Sequence, residues 1–102
     1  MKTKNIQVPL IHLNGTAAES LLEAIENAHA AIGDALHKMR EVAPNGRDYY
    51  PLGPEALTRA IREHRERCHA LDQVRTELEA MALGITDRVL TVDVRVNELH
   101  HD

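Results

Sequence analysis

Two long, mostly apolar runs, each recurring at intervals of three and four, constrain this chain more than any other feature. In the first run Leu21, Ile25, Ala28, Ile32, Ala35, Met39 and Val42 fall on one helical stripe. Leu22, His29, Leu36 and Ala43 run beside it at intervals of seven. Thr16-Ala17-Ala18-Glu19 reads as a capping box, the Thr hydroxyl taking an early backbone N–H and Glu19 reaching back to the cap. Pro44-Asn45-Gly46 ends the run, so the first helix is expected over roughly residues 16–43. The second run opens at Gly53-Pro54-Glu55, with Pro suited to the first turn and Glu to the positive end of the helix dipole. It continues through Leu57, Ile61, His64, Cys68, Leu71, Val74, Leu78, Met81 and Ile85, and Gly84 is its expected stop. The second helix is therefore expected over about 54–84. Two helices of similar length joined by a short connection predict a mainly α fold, a long antiparallel helical hairpin.

The ends carry a different period. Leu90-Thr91-Val92-Asp93-Val94-Arg95-Val96-Asn97 alternates apolar and polar residues, which predicts a strand over 88–98. Ile6, Val8 and Leu10 alternate too, within an N-terminal arm or strand over 1–15 that Pro9 confines to an edge. Residues 1–102 are expected to form one domain, with 16–85 as its hairpin. Both strands would leave the hairpin at the same end and could pair, and a two-stranded ribbon alone is marginal in water.

Composition narrows the function classes. Lys and Arg total 12 against 16 Asp and Glu, a net charge of −4, and nothing global favours duplex nucleic acid. No apolar stretch reaches the length of a membrane span, and the polar opening is not read as a signal peptide. The single Cys68 excludes an internal disulfide and suits a reducing cytosol. With neither staple nor metal, and with stripes broader than one helix contact needs, the chain is expected to form a symmetric homo-oligomer.

Phe and Trp are absent, and the only aromatic residues are Tyr49 and Tyr50. They lie in the connection Asn45-Gly46-Arg47-Asp48-Tyr49-Tyr50-Pro51-Leu52-Gly53-Pro54, which is longer than a hairpin requires. Two roles are open to it. One Tyr can plug the end of the hairpin while Arg47 and Asp48 pair locally. Alternatively, the rings stack on a planar ligand while Arg47 forks onto a phosphate. At the other end of the first helix, His12, Asn14 and Thr16 flank a helix N-terminus, which is either a plain capped start or an anion site. In an antiparallel association of two hairpins this segment and the tyrosine loop could form a composite pocket between chains. His64 and Cys68 have a zinc-compatible spacing but fall on the apolar seam and are read as seam residues. Arg59, Arg62, Arg65 and Arg67 are nearly balanced by Glu63 and Glu66, although they could line a small-anion site. No Gly-rich phosphate loop, HExxH or GxSxG is present, so neither catalysis nor a cofactor is expected.

The motifs Ile11-His12-Leu13-Asn14-Gly15-Thr16, Asn45-Gly46-Arg47-Asp48-Tyr49-Tyr50-Pro51, Glu63-His64-Arg65 and Glu77-Leu78-Glu79 resemble a family of small phage and prophage proteins. The resemblance covers roughly residues 9–85. In architecture the chain also resembles phage helical-hairpin sponges that counter CBASS and Thoeris defence, without a residue-for-residue motif match. These likenesses imply a non-enzymatic phage protein in the cytoplasm of a bacterial host. It would sequester a nucleotide-derived immune signal of cyclic-nucleotide or cyclic ADP-ribose type. Arg47, Asp48, Tyr49 and Tyr50 are the expected contacts, with His12, Asn14 and Thr16 from another chain. A protein–protein interaction module, docking on a host or phage protein, is the alternative, and DNA-binding regulation comes third.

Overall fold

The computed structural model describes residues 5–12 and 15–99. Helix α1 spans Ala18–Met39, a short helix α2 spans Gly46–Tyr49, and helix α3 spans Pro54–Leu99. Tight 3₁₀ turns at Arg40–Val42 and Tyr50–Leu52 close the connection between them. The molecule is mainly helical, as expected, and among the described residues there is no strand.

Helix α1 begins slightly later than the capping box suggests. Its first turn closes through the Leu21 N–H donating to the Ala17 carbonyl at 3.1 Å, which makes Ala17 the boundary. Glu19 in the first turn and His37 and Lys38 in the last complement the helix dipole.

The chain divides into two compact units. One comprises 1–29 with 76–102, the other 30–75, and both long helices contribute to each. In the second unit the direction of the helices is explicit. Gly33 of α1 lies beside Arg75, while Val42, just past α1, shares a groove with Ala60 and His64. As α1 advances, its neighbours on α3 recede, so the two run antiparallel. In the first unit the His29 ring nitrogen Nε2 meets Glu79 Oε1 at 2.7 Å across the helices. The buried Ile25 and Ile85 also belong to this unit, and Ile85 is fully covered.

Two expectations at the ends are corrected. The segment 88–98 is helical, not a strand, because α3 continues through Gly84 to Leu99. Its valines alternate, but Ile85, Val89, Val92, Val96 and Leu99 also recur at intervals of four and three. No Gly or Pro interrupts 85–99. A helix already nucleated extends at the small per-residue cost of β-branched side chains, a few tenths of a kcal/mol each.

Of the expected N-terminal strand, the described residues 5–12 form neither helix nor strand, and residues 1–4, 13 and 14 lie outside the described residues. Instead the arm lies on α3. The Arg88 guanidinium donates to the Val8 and Pro9 carbonyls at 3.3 and 2.9 Å, hydrogen bonds that need no N–H from Pro9. Val8 sits directly over Gly84, where a Cβ would come within 2.7 Å of its Cγ2. Gly84 thus permits the arm to approach inside a helix, and it does not end one.

Candidate functional site

The connection between α1 and α3 is built from consecutive short turns, each with its own stop. The Arg40–Val42 turn closes through the Ala43 N–H donating to Arg40 O at 3.3 Å, and extended backbone at Asn45 then resets the direction. Asn45 caps α2 reciprocally. Its Oδ1 accepts from the Asp48 backbone N–H at 3.1 Å, and its Nδ2 donates to Asp48 Oδ2 at 2.9 Å. The Tyr50–Leu52 turn ends at Gly53, whose φ of 101° lies in the region that favours glycine. From there α3 starts with Pro54 in its first turn.

This geometry separates the two tyrosines. Tyr50 is 77% exposed, whereas Tyr49 is half-buried and forms one wall of a groove of about 340 Å³. Val42, Pro44 and Leu52 add apolar surface from the connection. Helix α3 supplies the rest of the lining through Ala56, Arg59, Ala60, Glu63, His64 and Arg67. The two alanines keep the helix surface low next to Tyr49. Arg59 Nε donates to Glu63 Oε2 at 3.3 Å, so that carboxylate is largely answered within the groove. Arg67 has no carboxylate partner among the described residues and leaves the groove a net cation.

His64 contributes the least settled group of the site. Its Nε2 lies 3.6 Å from the Cys68 thiol, but its Nδ1 is shielded from water and has no hydrogen-bond partner. A shielded polar atom left unpaired costs about 1–3 kcal/mol. A groove with one aromatic wall and an unpaired guanidinium suits a planar, anionic molecule.

The residues expected from sequence are distributed unevenly around this groove. Tyr49 lines it, and Arg47, Asp48 and Tyr50 stand exposed on the same connection without lining it. Asp48 is committed to Asn45. His12 and Thr16 are exposed and belong to the other unit, and Asn14 lies outside the described residues. The His12 ring lies over Gly15, where a Cβ would approach its Nε2 within 2.7 Å, and the Gly15 N–H donates to His12 O at 3.1 Å. Sequence reasoning read Arg59 and Arg67 as nearly balanced by Glu63 and Glu66, though able to line a small-anion site, and placed His64 on the seam. The available signal was the small pair Ala56 and Ala60 beside Arg59, Glu63 and Arg67, all at intervals of four. Among the described residues no group of three or more His, Cys, Asp or Glu could hold a metal ion, and no helix is long and apolar enough to cross a membrane. No protein-family model, curated protein or solved structure matches the chain.

Proposed function

We propose that this chain is a non-enzymatic binding protein that takes a small anionic, nucleotide-like ligand into the groove beside Tyr49. The observation that carries this reading is the half-buried Tyr49 ring sharing one groove with Arg67, a guanidinium without a carboxylate partner among the described residues. A nucleobase offers a stacking face and a hydrogen-bonding edge, and its phosphate answers a guanidinium. Arg47 and Tyr50, exposed on the same connection, extend the contact at the rim, and Asp48 holds the loop in shape. Taken with the resemblance to phage-encoded proteins, the ligand is a nucleotide-derived immune signal, held intact and withheld from host defence in the bacterial cytoplasm.

The protein acts as a homo-oligomer in this reading. Among residues 5–12 and 15–88 only Ile25 and Ile85 are buried, whereas Leu10, Val42, Tyr50, Leu52, Val74 and Leu83 are exposed. That is a thin core for a chain without disulfides. His12, Asn14 and Thr16 of a second copy complete the site.

Calorimetry against cyclic dinucleotides, cyclic trinucleotides and ADP-ribose derivatives tests the proposal. Stoichiometric heat with one class, and recovery of that ligand unaltered after denaturation, is the expected result. Absence of heat across the panel, or recovery of a cleaved product, removes it. The exposed Val42, Tyr50 and Leu52 around the connection favour a second reading, a module that docks on a host or phage protein. Co-purification of one such protein, lost on replacing Tyr49 and Tyr50 with Ala, would favour that reading.

A further inference from the structure

Charge is divided unequally between the two compact units. Residues 1–29 with 76–102 carry four basic and nine acidic side chains, a net of −5, whereas residues 30–75 carry eight basic and seven acidic, a net of +1. Part of this difference is concentrated on two exposed helix faces. Glu19, Glu23 and Glu26 stand exposed on α1 at intervals of four and three. Arg62, Arg65 and His69 stand exposed on α3 at intervals of three and four, around a shallow recess that also includes Thr58, Ile61 and Glu66. Each set spans eight residues of helix, seven rises of about 1.5 Å or about 10 Å, so the two can come into register across one helix–helix contact.

We infer that a second copy of this chain docks with the Glu19-Glu23-Glu26 face of its α1 on the Arg62-Arg65-His69 face of α3. The inference rests on the homo-oligomer reading above and adds the faces and their pairing. A contact between two acidic faces would set three glutamates against three, whereas the crossed arrangement sets Glu19, Glu23 and Glu26 against Arg62 and Arg65. Exposed ion pairs add modest affinity but fix register and exclude the like-with-like alternative. Ile61, half-buried in the recess, gives the contact an apolar centre.

The test uses two charge-reversed full-length proteins, E19K/E23K/E26K and R62E/R65E, studied by sedimentation at several salt concentrations, with far-UV circular dichroism monitoring helix content. The wild type is expected to self-associate, more weakly as salt rises. Each variant alone should lose association by at least about tenfold, because every pair becomes a like-charge pair. An equimolar mixture should recover it, since all faces are again complementary in the mixed dimer. That recovery also identifies a loss caused by repulsion as opposed to misfolding. Unchanged association in both variants, or no recovery on mixing, overturns the pairing while leaving an oligomer in place. A wild type that stays monomeric throughout overturns both the pairing and the oligomer reading.

Discussion

The contact between Val8 and Gly84 gives a sign-reversing test of how the N-terminal arm is held. Gly84 lies in the interior of α3, where replacing Gly with Ala in an open setting stabilises by about 1 kcal/mol. Here the added Cβ would stand 2.7 Å from Val8 Cγ2, 3.0 Å from Cγ1 and 3.4 Å from Cβ. Both methyls face the site, so any χ1 rotation of Val8 leaves at least one of them in the way. The arm must lift. Lifting it forfeits the half-burial of Val8, worth about 1 kcal/mol, and weakens the Arg88 bonds to two carbonyls. Because Arg88 is exposed, those bonds together are worth about another 1 kcal/mol. Gly84→Ala should therefore destabilise by about 1 kcal/mol net, a fall of about 4–8 °C in midpoint for a chain of this size. In a Val8→Ala background only the 3.4 Å contact remains, which is ordinary van der Waals distance, and Gly84→Ala should stabilise by about 1 kcal/mol. The coupling in this double-mutant cycle is then about 2 kcal/mol. Thermal unfolding followed by far-UV circular dichroism at one fixed protomer concentration measures it. Equal stabilisation by Gly84→Ala in both backgrounds would refute the reasoning and mean that the arm does not rest on α3.

The remaining predictions concern the connection and the core. Gly53→Ala, at φ 101°, should cost about 1 kcal/mol or more in urea unfolding, because an alanine there is strained in open space as well as in contact. Tyr49→Ala should weaken ligand binding by about 10–100-fold in calorimetry, the loss of one stacking platform, while Tyr50→Ala should change it by less than about fivefold. An equal loss from both would mean that the groove is not the site. Ile85→Ala should destabilise by about 2–5 kcal/mol, because Ile85 is fully covered, whereas Leu83→Ala, 65% exposed, should stay within about 0.5 kcal/mol in the same assay.

The helices were legible because each stripe repeats its spacing over many turns, and the start of α3 because Gly53-Pro54-Glu55 combines three signals at one point. The extent of α3 was not. Leu90 through Asn97 satisfies a period of two and, with Ile85 and Leu99, a helical period as well. Gly84 was misread because a glycine that ends a helix and one that admits a crossing segment look alike in sequence. Only Val8, 76 positions away, distinguishes them. The connection illustrates a smaller miss. Asn45 with Asp48 three residues later is a reciprocal cap, and the pattern that marked Thr16 and Glu19 could have marked a short helix here. Of the proposed site, sequence indicated the tyrosine-bearing loop but not which ring turns inward. That depends on successive turns that present Tyr49 and Tyr50 to different surroundings. His64 looked like seam because its spacing is seam-like, and its unpaired nitrogen has no signature in sequence.

The origin of the groove has a consequence for stoichiometry. All of its lining residues fall between Val42 and Arg67, inside one unit of one chain. The connection that carries Tyr49 is held by its own bonds, Asn45 to Asp48 and Gly53 to Tyr50. A ligand that stacks on Tyr49 and answers Arg67 draws those contacts from one chain, and the proposed reading implies one ligand per chain. Contacts from His12, Asn14 and Thr16 of a second copy would then alter affinity and leave that ratio alone. Diluting the protein through its association range should separate the two contributions. A ratio that holds near one while affinity falls supports a groove completed between chains. A ratio that drops to one ligand per two chains instead requires a site on the two-fold, in which Tyr49 of each copy faces a single shared ligand.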